Sequence, residues 1–97
     1  MDASTDLHDL KNLGRTTVQW LKAIGVHSRA DLESKGVVTA YQAMRARGFR
    51  ATRVALYSLH GALTDTPWRA LSDETKRTLV VEAGEDLDDE IYRHAVS

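Results

Sequence analysis

Four arginines, Arg45, Arg47, Arg50 and Arg53, fall within nine residues around Gly48. Each guanidinium is planar, permanently charged and carries five N–H donors, so such a cluster suits phosphate recognition. Three or four contacts of this kind to duplex DNA would give a log–log salt slope of about −3 to −4. The plainer reading is a solvated basic face, partly neutralised by the chain's own acids. Glu85, Asp86, Asp88, Asp89 and Glu90 could pair with the arginines within one chain or across a dimer and so compete with DNA. Exposed pairs are worth only about 0–1 kcal/mol each, which favours a solubilising end unless Leu87 and Ile91 dock too. Phe49 sits inside the cluster, where it would either stack on a base or, as turn phenylalanines more often do, plug the core.

A second candidate surrounds Leu13-Gly14-Arg15-Thr16, with Lys11 alongside. A glycine just before a helix start leaves the first backbone amides open to an anion, and the flanking cations would hold a phosphate there. In the plainer reading, Gly14 and Gly25 only turn the chain. The nucleic-acid-binding candidates are therefore Lys11, Gly14, Arg15, Arg45, Arg47, Arg50 and Arg53.

The remaining residues assemble no catalytic constellation. His8, His27, His60 and His94 are scattered without metal-type spacing. Glu90 and His94 stand at i and i+4, but two ligands do not make a catalytic centre. Asp86 to Glu90 lacks the glycine of a calcium loop, and there is neither a phosphate-binding Gly-Lys motif nor a nucleophile elbow. With no cysteine, disulfides, thiolate zinc sites and cysteine nucleophiles are excluded. A non-enzymatic domain without cofactor or metal is expected.

Charge is distributed unevenly. Residues 11–63 carry nine basic side chains against two acidic ones, a surplus of +7, whereas residues 1–10 carry −3 and residues 64–97 carry −5. A basic middle between acidic ends points to an anionic partner or to self-pairing. The first residues lack a basic flank and an apolar stretch, and no apolar run approaches the ~20 residues of a membrane span. The absence of cysteine suits a reducing compartment, so a cytoplasmic location with no membrane contact is expected.

The elements that would position these side chains are helices, because a period of 3.6 dominates and strand-like alternation is almost absent. A short helix over Thr5 to Lys11 should stop at Asn12-Leu13-Gly14, where Asn and Gly tolerate positive φ. The next runs from Arg15 to the cap at Gly25, with Val18, Leu21 and Ile24 on one face. Ser28 caps a third, with Asp31 completing an approximate capping box. A fourth, between Gly36 and Gly48, turns Val37, Tyr41 and Met44 to one side. Thr52 opens a segment that is apolar almost all round, Val54 to Leu63, which belongs at the centre of the core; Gly61 within it predicts that another backbone, expected to be a helix, crosses closely there. Thr66-Pro67-Trp68 reads as a cap, a first-turn proline and an anchoring indole, and Ser72 caps a helix carrying Leu79, Val80 and Ala83. The whole is an all-α, compact bundle of five to six short helices. Residues 1–83 form the domain, and residues 84–97 form an acidic tail or terminal helix.

The run Leu10-Lys11-Asn12-Leu13-Gly14, followed by Trp20-Leu21 and then Ile24-Gly25-Val26-His27-Ser28-Arg29-Ala30-Asp31-Leu32, resembles a helix-hairpin-helix pattern. Gly36, Ala40-Tyr41, Leu56-Tyr57, Leu59, Gly61-Ala62-Leu63, Trp68, Leu71 and Lys76 follow in order. Together they are similar to the C-terminal domain of the TfoX (Sxy) competence regulators, over about residues 7–81. Ser72 stands where that family usually has proline, and the acidic segment from Glu82 lies outside the pattern. Family members generally carry an N-terminal domain that has no counterpart in these residues. The resemblance implies a bacterial regulatory module tied to transcription and competence. Its partner would be DNA, or alternatively a protein such as a separate TfoX-type N-terminal domain or a transcription regulator. In the latter case the hairpin face or the acidic C-terminal helix would serve as the adaptor surface.

Overall fold

A chain with one proline and this periodicity has little reason to leave the helical region, and the computed structural model, which describes residues 7–85, is helical in all its regular elements. Five α-helices follow in order: α1, Arg15–Ala23; α2, Arg29–Lys35; α3, Val37–Ala46; α4, Arg53–Thr64; and α5, Asp73–Glu82. Single 3₁₀ turns stand at Leu7–Asp9 and Trp68–Ala70. Of the helix expected over Thr5 to Lys11, residues 5 and 6 lie outside the described range, and the rest is a tighter structure. Leu10 donates to the Leu7 carbonyl and Leu13 to the Leu10 carbonyl, the i to i−3 pattern of 3₁₀ winding.

Two of the expected caps form. Ser28 Oγ accepts from the Asp31 amide at 3.1 Å, while the Asp31 carboxylate accepts from the His27 amide at 2.9 Å. The reciprocal bond thus reaches one residue before the cap. Ser72 Oγ accepts from the Thr75 amide at 3.1 Å, and Asp73 and Glu74 lie on the positive end of the α5 dipole. The other two differ. Thr52 holds the N-cap position of α4 but its hydroxyl makes no capping bond. Pro67, rather than Thr66, is the N-cap of the second 3₁₀ turn, because the Trp68 amide is taken by the Asn12 side chain at 3.2 Å.

Helix α4 lies at the centre, against α3, α5 and the Trp68 turn. Leu56 and Leu59 are fully buried, and each such leucine stabilises the fold by about 1.5–3 kcal/mol. The apolar belt is not complete: Val54, at the first turn, is 42% exposed. On α3, Tyr41 and Met44 face inward as expected, and Val37 packs at the margin. Trp68 anchors its turn by stacking on Tyr57, centroids 6.2 Å apart, with Lys76 Nζ 5.5 Å from the indole centroid.

At Gly61 the expected close approach is present, although what approaches is not a helix. A Cβ there would overlap the Thr66 carbonyl oxygen and the Asn12 Nδ2. The returning loop after α4 and the first hairpin therefore meet over a backbone with no side chain.

Candidate nucleic-acid interface

The α1 end is built by Asn12 pointing in and its neighbours pointing out. Asn12, with φ 74°, takes the left-handed conformation, whereas Gly14 is extended at φ −91° and ψ −179°. This reverses part of the expectation, in which Gly14 also needed the turn conformation. The Asn12 amide group donates to the Thr66 carbonyl at 2.8 Å and to that of Ser58 at 3.5 Å. With its inner side chain so held, the hairpin presents Lys11, Gly14 and Arg15, all exposed. Gly14 caps α1 without a side-chain acceptor, so the amides of Arg15, Thr16 and Thr17 precede the first helical acceptor and face an open end. A Cβ at Gly14 would meet nothing within 4 Å.

The corner between α3 and α4 holds the arginines. Phe49 follows the core reading: it packs against the hydrophobic cluster and stacks on Trp20 with centroids 5.5 Å apart and planes 8° from parallel. Arg47 Nη1 donates to the Ala23 carbonyl at 2.8 Å, which closes the C-terminal end of α1 with a favourable charge. Arg50 is exposed. Arg45 and Arg53 turn to the other side, toward Glu85. Arg53 Nε donates to Glu85 Oε1 at 2.9 Å, Tyr41 Oη donates to Oε2 at 2.6 Å, and Arg45 Nη1 lies 3.9 Å from Oε2. Arg45 also donates to the Ala51 carbonyl at 2.9 Å and to Tyr41 Oη at 3.3 Å.

Burial, followed by the hydrogen bond to Glu85 and its negative charge, pushes the Tyr41 phenol up to about 12, with Arg45 pulling the other way. Burial would raise Glu85, but bonds from Tyr41 and Arg53 and the charges of Arg45 and Arg53 outweigh it and hold the carboxyl below its ordinary range. A phenol raised in the folded state keeps its contribution below the unfolded pKa of about 10 and loses it as pH rises toward about 12. Thermal melts should therefore show the native protein losing stability across that window more steeply than Tyr41→Phe. Parallel curves for the two proteins would contradict the assignment.

The seven sequence candidates thus fall in three places. Lys11, Gly14 and Arg15 lie at the start of α1. Arg47 closes its end, with Arg50 exposed on the same turn, while Arg45 and Arg53 gather around Glu85. The eight residue steps from Arg15 to Ala23 span about 12 Å at 1.5 Å each. Of the histidines, His27 is exposed and His60 half-buried on α4; His94 and the acidic run from Asp86 lie outside the described residues. Among the described residues no group of three or more His, Cys, Asp or Glu side chains is placed to hold a metal ion, and no helix is long and apolar enough to cross a membrane. Sequence reasoning left Tyr41 in the core and missed its hydroxyl as a partner of Glu85. Its position four residues before Arg45 was the available signal.

The family model described as the TfoX C-terminal domain matches residues 3–83. The chain belongs to that family. Two solved structures resemble this TfoX C-terminal domain. One, the crystal structure of an uncharacterized protein from Listeria monocytogenes in a triclinic form, is 25% identical with a TM-score of 0.73, covering 77% of this chain and 85% of the other. The second, a protein of unknown function from Listeria monocytogenes in a tetragonal form, is 26% identical with a TM-score of 0.71, covering 75% and 90%. No curated protein matches the chain. Tyr41, Arg45 and Arg53 lie inside the matched stretch of the TfoX C-terminal domain, and Glu85 lies two residues beyond it.

Proposed function

We propose that this TfoX C-terminal domain is a non-enzymatic regulatory module that binds the DNA backbone through the two ends of α1. The observation that carries this reading is the uncapped start of α1 at Gly14, open and flanked by exposed Lys11 and Arg15. Helix amides and adjacent cations are complementary to a phosphate. At the far end Arg47 and Arg50 supply a second contact. The helix length that separates the two ends, about 12 Å, is comparable with the width of the major groove, so that one helix can address two stretches of backbone. Contacts of this kind hold and orient a duplex without reading its sequence. Arg45 and Arg53 are engaged by Glu85 and stand outside this primary contact.

Replacing Arg47 and Arg50 together with glutamine tests the second end. Arg47→Gln keeps an N–H donor for the Ala23 carbonyl, so helical circular dichroism should be unchanged. Binding to duplex DNA should weaken, with the salt slope reduced by about 1.8 for two lost contacts. An unchanged slope would remove these arginines from the interface.

An adaptor role toward a protein is the second reading. Val81 on α5 is 58% exposed, and α5 also walls a groove in which Val37, Val38 and Leu79 alternate with Glu74, Thr78 and Glu82, a mixed surface of the kind that protein partners cover. That reading requires no DNA affinity at any salt concentration.

A further inference from the structure

The Glu85 carboxylate is held as a bound phosphate would be held. Two guanidinium groups and a phenol, carried by α3 and α4, converge on its two oxygens: Arg53 at 2.9 Å, Tyr41 at 2.6 Å and Arg45 at 3.9 Å. Charged donors of this sort bind phosphate oxygens as well as carboxylates. We infer that Arg45, Arg53 and Tyr41 form an anion site that Glu85 fills in cis, and that a backbone phosphate of a nucleic acid takes its place when Glu85 withdraws. The inference rests on the DNA-binding reading above and adds a regulated contact to it.

The frame of the site survives without Glu85. Arg45 is independently fixed by the Ala51 carbonyl and by Tyr41 Oη, and its guanidinium lies 5.7 Å from the Tyr41 ring centroid. Tyr41 is 1% exposed and fixed in the core. The occupant is held by its backbone too, the Glu85 amide donating to the Val80 carbonyl at 3.1 Å. Glu85 follows the end of α5 and Gly84, which has φ 79°. The chain before it is secured by Gln42 Nε2 donating to the Ala83 carbonyl at 3.1 Å. Withdrawal of the carboxylate therefore needs only a rotation of the Glu85 side chain, with the backbone and α5 in place. The Arg45 side chain is 53% exposed and that of Glu85 21%, so the site opens on solvent and a competing anion can reach it.

The neighbourhood selects the kind of anion. Arg47, at the end of α1, and the exposed Arg50 belong to the same α3–α4 connection but face away from Glu85, so only a strand that reaches round the corner meets them as well as the site between Arg45 and Arg53. A polyanion gains from each of them, whereas an isolated phosphate does not.

Glu85→Gln removes the charge while keeping the size and an oxygen for the Tyr41 hydroxyl. Inorganic phosphate, followed by calorimetry and by the shift in melting temperature, should bind this variant and leave the native protein unaffected. Duplex DNA should bind the variant at least tenfold tighter, with the salt slope steepening from about −3 to −4 toward about −5 as two more contacts form. Adding Arg45→Gln should return both readouts to native values, with circular dichroism confirming that each variant is folded. If the native protein binds DNA and Glu85→Gln matches it in slope, affinity and indifference to phosphate, the masked site is overturned and the α1 interface stands. If Glu85→Gln takes phosphate while neither protein binds DNA, the nucleic-acid occupant is overturned along with the DNA-binding reading.

Discussion

Gly61→Ala is expected to destabilise the domain by about 3 kcal/mol or more. Alanine would return roughly 1 kcal/mol of helix propensity in the middle of α4, and on that ground alone the substitution should help. The new methyl, however, would overlap the Thr66 carbonyl oxygen and Asn12 Nδ2, and neither gives way cheaply. The Thr66 amide is bonded to the Gly61 carbonyl at 2.8 Å, which pins the loop over the helix. Asn12 is bonded to three groups, two carbonyls and the Trp68 amide. Overpacking against such a backbone costs about 1–3 kcal/mol and occasionally more, and pushing Asn12 aside breaks part-buried bonds worth about 0.5–1.5 kcal/mol each. Urea midpoints of the two proteins measure the sum; a variant as stable as the native protein would show that the loop and hairpin yield freely.

The second large effect separates binding from folding. In Gly14→Asp the extended dihedrals of residue 14 suit any amino acid and its surroundings are open. The new carboxylate can accept from the first-turn amides of α1 and lies favourably at the positive end of its dipole. A gain of a few tenths to about 1 kcal/mol in stability follows. The same carboxylate would occupy the place offered to a DNA phosphate and repel another one approaching Lys11 and Arg15. Affinity for duplex DNA should fall at least tenfold while the melting temperature rises. A variant that is more stable and binds unchanged would remove the α1 start from the interface.

Much of the fold was legible because local signals and burial agree. The glycines and the Ser28 and Ser72 caps marked helix boundaries, and the apolar wrap of α4 marked the centre. The departures occur where a distant side chain decides a local outcome. Asn12 reads as a turn residue, which it is, but its side-chain amide also reaches Thr66 and Trp68, 54 and 56 residues further along the chain. That reach displaces Thr66 from the expected cap. Likewise Gly61 announces a close neighbour without naming it, because a missing Cβ records only that space is needed. The site was legible in composition and less so in arrangement. Four arginines in nine residues imply one patch, yet the turn at Gly48 and the helical phase send Arg47 to the end of α1 and Arg45 and Arg53 to Glu85. Charge offered the acids after α5 as partners of the cluster but favoured a solubilising end; that Glu85 meets it, joined by the phenol of Tyr41, depends on how α3, α4 and α5 pack.

The most direct measurement is fluorescence-anisotropy titration of a labelled duplex with the purified protein at several salt concentrations. With Lys11, Arg15, Arg47 and Arg50 each neutralising a phosphate, binding should weaken with salt at a log–log slope of about −3 to −4. Absence of binding at low salt, or a slope near zero, would contradict a DNA-backbone interface at the ends of α1 and leave the exposed α5 face as the surface to pursue.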